Sequence, residues 1–147
     1  MSRTLHLTRR EVQQIIPHRD PILLVDEALV LKSERKVRTT YHVDPGLTIF
    51  AGHFPGYPVF PGAYTLESMG QAAALIALSL PQYQGRLPLF FGANTVRFFK
   101  PVLPDDTLEI RAELVEENEA KSRLTVWTEA FVGDTKVSNA EILLAMR

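Results

Sequence analysis

Apolar positions alternate with polar ones in some stretches of this chain and run almost unbroken in another, and the two patterns separate its elements before composition is considered. From Thr107 to Glu116 the alternation is clean: Leu108, Ile110, Ala112 and Leu114 share one face, and Glu109, Arg111 and Glu113 the other. That is the period of a half-buried strand. Residues Ile22 to Leu31, Lys36 to Val43, Leu89 to Lys100, Lys121 to Val132 and Thr135 to Met146 also read as strands. Lys32-Ser33-Glu34-Arg35 and Gly133-Asp134 mark hairpin turns, and Pro101 with Pro104-Asp105-Asp106 separates two further strands. One long helix is expected over Gly62 to Leu80, stopped by Pro81. It is apolar nearly all the way round, through Leu66, Met69, Ala72, Leu75, Ile76 and Leu78, and a helix without a polar face is a buried helix. Thr8 and Glu11 have the spacing of a capping box, so a short helix is expected over Arg9 to Ile16, ending at Pro17. Pro45, Gly46, Gly52, Pro55, Gly56, Pro58 and Pro61 exclude regular structure between Asp44 and Gly62 and predict a folded loop.

The order after the short helix is therefore two strands, the buried helix, then four strands. Hairpin-like connections argue for an antiparallel sheet, and the apolar helix has to be covered by it. The expectation is an α+β protein, a curved antiparallel sheet wrapped around one long central helix. All 147 residues are read as one domain without internal repeats.

Composition narrows the chemistry. With 46% apolar and 22% charged residues and a net charge of −1, the chain reads as a soluble domain with no overall field for nucleic acid or an anionic membrane. The absence of cysteine excludes disulfides, thiolate metal sites and a thiol nucleophile. Pro45 to Leu66 and Ser68 to Gly85 lack charged residues, but glycine, proline and glutamine interrupt them, so no membrane span is expected. The opening residues, Met1 to Leu7, lack the apolar core of a signal peptide, which makes the cytoplasm the expected location. His6, His18, His42 and His53 have no metal-ligand spacing, and no metal site is expected. Phosphate-cradling, dinucleotide-binding and nucleophile-elbow motifs are absent.

Two residues carry candidate chemistry. Glu67 is the only charged residue between Gly62 and Leu80, and a carboxylate in a buried helix must be paired, protonated or facing a cleft. Its helical neighbours Ala63 and Gly70 are small and leave room beside it. A structural carboxylate hydrogen-bonded to Gln71 or to a strand satisfies the same pattern. His53 lies in Gly52-His53-Phe54-Pro55-Gly56, where glycine and proline hold the backbone and admit a ligand closely. Such a histidine suits a general base, although an ordinary solvated one fits as well. The loop bearing His53 runs into the helix start at Pro61-Gly62, whose free N–H groups suit a carbonyl oxygen acquiring negative charge.

The segment Phe50 to Gln71, F-A-G-H-F-P-G-Y-P-V-F-P-G-A-Y-T-L-E-S-M-G-Q, closely resembles the signature of the 3-hydroxyacyl-[acyl carrier protein] dehydratases of type II fatty-acid synthesis. Pro17-His18-Arg19 with Leu23-Leu24-Val25-Asp26 matches that family's opening segment, Arg97-Phe98 with Pro101-Val102 a later strand, and Ala140-Glu141 the last. The resemblance implies a hot-dog fold and a homodimer with two active sites at its interface, with assembly into hexamers left open. It implies His53 as the catalytic histidine and Glu67, from the opposite subunit, as the catalytic carboxylate. The Gly62 N–H would hold the thioester oxygen, and the Val59 carbonyl would fix the histidine tautomer. The glutamate resembles the branch that only dehydrates. Neutral His53 would remove the C2 proton and protonated Glu67 would donate to the departing hydroxyl, giving a trans-2-enoyl thioester without a cofactor.

Departures from the family's pattern bear on substrate and partner. Asp20-Pro21-Ile22 replaces an aromatic-proline-aromatic run, and Phe60, Ala63 and Tyr64 replace methionine and valine-leucine. The implied acyl pocket includes Phe54, Phe60, Tyr64 and Gln71, as an apolar tunnel narrowed near Phe60. Phe99 replaces a basic residue, leaving Arg97 and Lys100 to dock an acidic acyl carrier protein or simply to be solvated. A fatty-acid pathway and a specialised polyketide or polyene pathway both fit. A hot-dog thioesterase and a non-catalytic acyl-binding partner are the competing readings; the His-Phe-Pro-Gly block and the retained pair argue against each in turn.

Overall fold

The computed structural model describes residues 4–147. Strand β1 (Thr4–Thr8) leads directly into helix α1 (Arg9–Ile15). The capping box forms: the Glu11 N–H donates to Thr8 Oγ1 at 3.3 Å, and the Thr8 N–H donates to Glu11 Oε1 at 3.0 Å. Then come β2 (Glu27–Leu31), β3 (Lys36–His42), the long helix α2 (Gly62–Leu78), β4 (Pro88–Phe98), β5 (Thr107–Asn118), β6 (Arg123–Val132) and β7 (Thr135–Met146). Seven strands form one sheet in the order β1-β2-β3-β5-β6-β7-β4, with every neighbouring pair antiparallel.

Helix α2 packs across the sheet, against β3, β4, β5, β6 and β7. From Ser68 to Leu78 every one of its residues is buried, which explains why the helix shows no polar stripe. Leu108, Ile110 and Ala112 of β5 and Leu124, Val126 and Ala130 of β6 face it from the sheet. In β7 the buried phase changes: Val137 is buried, and so are Ala140, Ile142 and Leu144. A register shift opposite Ala130/Phe131 accounts for this, since one extra residue turns every later side chain to the other face. The helix approaches β4 closely at Gly70, where an added Cβ would come within 2.8 Å of the Phe90 ring.

After the short helix the order is the expected one, two strands, the long helix, then four strands, but a further strand, Thr4–Thr8, precedes that helix and pairs with β2. Two expectations need correction. The strand expected over Ile22 to Leu31 begins at Glu27. Leu23, Leu24 and Val25 are all buried in succession, which a half-buried strand cannot achieve. Their segment is folded inward instead: the Ile22 and Leu23 N–H groups donate to the Arg19 carbonyl, and the Arg9 guanidinium binds the Val25 carbonyl, Asp20 and Asp26. Finally, the loop from Asp44 to Gly62 contains a 3-10 turn at Thr48–Ala51 and a backbone bridge from Phe60 to Val102.

Beyond the C-terminal end of α2, the buried Tyr83 hydroxyl donates to Glu117 Oε2 at 2.6 Å, and Arg35 lies 3.6 Å from the same carboxylate. Burial, helped by that carboxylate, pushes the Tyr83 hydroxyl up to about 12. The hydrogen bond from Tyr83 in turn holds the Glu117 carboxyl below its ordinary range. A depressed carboxyl stabilises the fold above its unfolded-state pKa, and that contribution is lost as pH falls through the folded value. Tyr83→Phe should therefore cost roughly 1 kcal/mol at neutral pH. The difference should shrink as the solution is acidified below the carboxylate range, as denaturant titrations at several pH values would read.

Candidate active site

The loop between β3 and α2 fixes His53 through its own backbone. The His53 N–H donates to the Ile49 carbonyl at 3.0 Å, and its carbonyl accepts from the Val59 N–H at 2.9 Å. Its Nδ1 lies 2.8 Å from the Val59 carbonyl oxygen. A carbonyl can only accept, so the ring proton sits on Nδ1 and the lone pair of neutral His53 is left on Nε2. The Phe54 ring, half exposed to solvent, stacks on the imidazole at 4.1 Å between centroids.

Glu67 sits little more than one turn into α2, at the margin of its buried stretch, with a side chain 30% exposed. Its Oε2 accepts a hydrogen bond of 2.8 Å from Gln71 Nε2. Gln71 is fully buried, and the backbone decides which way its amide points. The Leu24 N–H donates to its Oε1 at 2.8 Å, and its Nε2 donates to the Ile22 carbonyl at 2.7 Å. Gln71 therefore presents a donor, never an acceptor, to Glu67. The hydrogen-bonded structural carboxylate and the reactive carboxylate are thus not exclusive, because only Oε2 is engaged. A second group approaches that oxygen: His18 Nε2, at 3.7 Å. No site role for His18 follows from the sequence; its position between Pro17 and Arg19 is the available signal.

Gly62 begins α2 behind Pro61, with no capping side chain, and the first N–H groups of a helix lack intrahelical acceptors. An added Cβ at Gly62 would lie 3.0 Å from the Phe98 ring, so glycine allows the aromatic side chain to close over the helix start. A cleft of about 340 Å³ opens here and brings together Val59, Phe60, Gly62 and Lys100 with Phe98 and Phe99. Phe60 is buried, 5.7 Å edge-on from the Tyr64 ring and 6.2 Å from that of Tyr41. Phe54, Tyr64, Gln71 and Arg97 lie outside the lining of this cleft, as do His53 and Glu67. Arg97 is exposed and donates to the Val96 carbonyl at 2.9 Å.

Within the single chain the hydrogen bonds and ion pairs of the described residues do not join His53 to Glu67; each is held by its own neighbours. The edge strand β4 carries Leu89, Phe90, Phe91 and Phe98 exposed, followed by exposed Phe99. A long apolar sheet edge of this kind is one that proteins ordinarily cover. Among the described residues no helix is long and apolar enough to cross a membrane.

An antiparallel sheet curled about one buried helix, with a loop histidine and a helix carboxylate near the helix start, is the hot-dog arrangement. Residues 16–141 match the model of the FabA-like domain, and the chain belongs to that family. It is 41% identical over 138 residues to a 3-hydroxyacyl-[acyl-carrier-protein] dehydratase FabZ of Desulforamulus reducens, covering 92% of this chain and 94% of that one. The corresponding protein of Moorella thermoacetica is 40% identical over 136 residues, covering 92% and 93%. Among solved structures, the dehydratase heterocomplex ApeI:P from Xenorhabdus doucetiae superposes with a TM-score of 0.76 at 18% identity, over 92% of this chain and 90% of that one. A hypothetical thioesterase with coenzyme A from Streptococcus pneumoniae gives 0.60 at 17% identity, over 78% and 80%. These two structural likenesses concern the fold alone.

Proposed function

We propose that His53 and Glu67 are the base and acid of a dehydration, the two residues coming from opposite subunits of a homodimer. The reaction itself rests on the family and on relatives about 40% identical over nearly their whole length: the chain is a 3-hydroxyacyl-[acyl-carrier-protein] dehydratase of fatty-acid synthesis. The observation that carries the assignment of roles is the 2.8 Å contact from His53 Nδ1 to the Val59 carbonyl. It leaves Nε2 as a neutral base able to take the C2 proton of the acyl chain. The Gly62 N–H polarises the thioester carbonyl and stabilises the negative charge that develops on its oxygen. Glu67 gives a proton to the 3-hydroxyl, which leaves as water, and the trans-2-enoyl thioester remains.

The two-subunit arrangement is supported by the separate anchoring of His53 and Glu67 and by the apolar β4 edge, which a second copy would cover. Acyl carrier protein is the substrate's bearer in this reading. Exposed Lys100 at the cleft and Arg97 on the same edge strand offer it positive charge. The same reading places the enzyme in the cytoplasm. A spectrophotometric assay with 3-hydroxybutyryl and crotonoyl thioesters tests the reaction class. Change in enoyl absorbance without free thiol is expected; thiol release would make it a thioesterase, and neither signal an acyl-binding scaffold.

Phe60 fills the space between Tyr41, Tyr64 and the cleft, and this makes it the residue that limits acyl length. Phe60→Ala should broaden the range of chain lengths accepted while leaving short-chain turnover largely intact. Truncating so buried a ring should also cost about 3–5 kcal/mol of stability. An unchanged chain-length profile in a variant shown to be folded would remove Phe60 from the pocket.

A further inference from the structure

His18 is a partly buried titratable group that the mechanism above leaves unused. It lies in the loop after α1, with a side chain 19% exposed, and its Nδ1 is buried without a hydrogen-bond partner. Its other nitrogen, Nε2, faces Glu67 Oε2 at 3.7 Å, the same oxygen that Gln71 holds. The loop is pinned in this position. The Arg19 guanidinium donates to the carbonyls of Gln13 and His18, each at 2.8 Å, and of Ile16 at 3.0 Å.

The surroundings decide where the ring carries its proton. Burial pushes His18 below the ordinary histidine range; the Glu67 carboxylate opposes this and the Arg19 guanidinium adds to it. Near neutral pH the ring is therefore uncharged and has one N–H. On Nδ1 that hydrogen would be a buried donor with no acceptor, a costly arrangement. On Nε2 it points at the carboxyl group.

We propose that His18 is a positioning residue for Glu67: its Nε2–H joins the Gln71 amide at Oε2 and so keeps the transferable proton on Oε1. This rests on the reading of Glu67 as the acid. Donors gathered at Oε2 make it the carbonyl oxygen of the neutral carboxyl, and the hydroxyl is then Oε1. From Oε1 the proton passes to the substrate's 3-hydroxyl oxygen as the C3–O bond breaks with its electron pair. His53 takes the C2 proton, the C2–H electrons form the double bond, and water leaves. Glu67 becomes a carboxylate, and the His18 Nε2–H, which stands 3.7 Å from Oε2, beyond hydrogen-bond length, closes onto the new charge. A contact that strengthens as charge develops raises kcat and leaves substrate binding alone.

The test compares His18→Leu with His18→Gln, whose amide Nε2 stands the same number of bonds from the backbone as the imidazole Nε2. His18→Leu should lower kcat about ten- to a hundredfold, the worth of one hydrogen bond to a charged group, with KM nearly unchanged. The alkaline limb of its kcat profile should move to higher pH, because the carboxylate has lost a donor. His18→Gln should recover most of the loss. A role in packing alone predicts equal damage by Leu and Gln and an unmoved profile, and that result would overturn the proposal. If His18→Leu does not fold, 15N spectra of the wild-type imidazole decide: a neutral ring protonated at Nε2 is expected, and protonation at Nδ1 overturns it. In a Glu67→Gln background, His18→Leu should cause no further loss of the residual turnover. Near-normal turnover by Glu67→Gln alone would instead remove the acid, so the two failures remain distinct.

Discussion

Glu67→Gln should fold like the wild type and lose dehydration by roughly a hundredfold or more, the usual contribution of a positioned general acid. The amide is nearly isosteric with the carboxyl, and the site tells it how to sit. Gln71 can only donate, because the Leu24 N–H and the Ile22 carbonyl fix its amide. The new side chain must therefore turn its carbonyl oxygen toward Gln71 and its NH2 toward the substrate. That NH2 can hydrogen-bond the 3-hydroxyl but cannot surrender a proton to it. KM should change little and kcat should collapse, with thermal unfolding close to that of the wild type. Turnover near the wild-type value would remove Glu67 from the mechanism.

Much of this site was legible in the sequence because its chemistry is local. A single carboxylate in an otherwise apolar helix, and a histidine bracketed by glycine and proline, stand out from a background of core and turn residues. The helix and the first part of β5 were equally plain, the helix because it is apolar nearly all round and the strand because it alternates cleanly as far as Leu114. What sequence periodicity could not supply were the features set by partners distant along the chain. Leu23, Leu24 and Val25 looked like strand because they are apolar and partly β-branched. They are instead folded inward, their polar backbone satisfied by Gln71 and Arg9, 47 and 16 residues away at Leu24 and Val25 respectively. Strand β1 is five residues long and runs straight into a capping box, and that helix-start signal masked the short alternation before it. His18 was hidden for the same reason. Its interest lies in facing Glu67 across the loop–helix contact and in having one nitrogen without a partner, neither of which a motif records.

That the acid and the base come from different subunits is tested most directly by complementation. His53→Ala and Glu67→Ala are each expected to be inactive, because each leaves every site of its own homodimer without one member of the pair. When the two variants are mixed and their subunits exchange, a mixed dimer holds one site with both defects and one with neither. Random pairing makes about half of the dimers mixed, and half of the sites in those are intact, so about a quarter of wild-type turnover should return. The separate anchoring of the two residues, His53 on the Val59 carbonyl and Glu67 on Gln71, means that neither substitution disturbs the other's support. Exchange is followed independently by native mass spectrometry of a size-tagged variant. Recovery of about a quarter of the activity, rising with the fraction of mixed dimers, is the predicted result. Exchange without any recovery would contradict the shared site and place both groups in one chain, or show that one of them is not part of the chemistry.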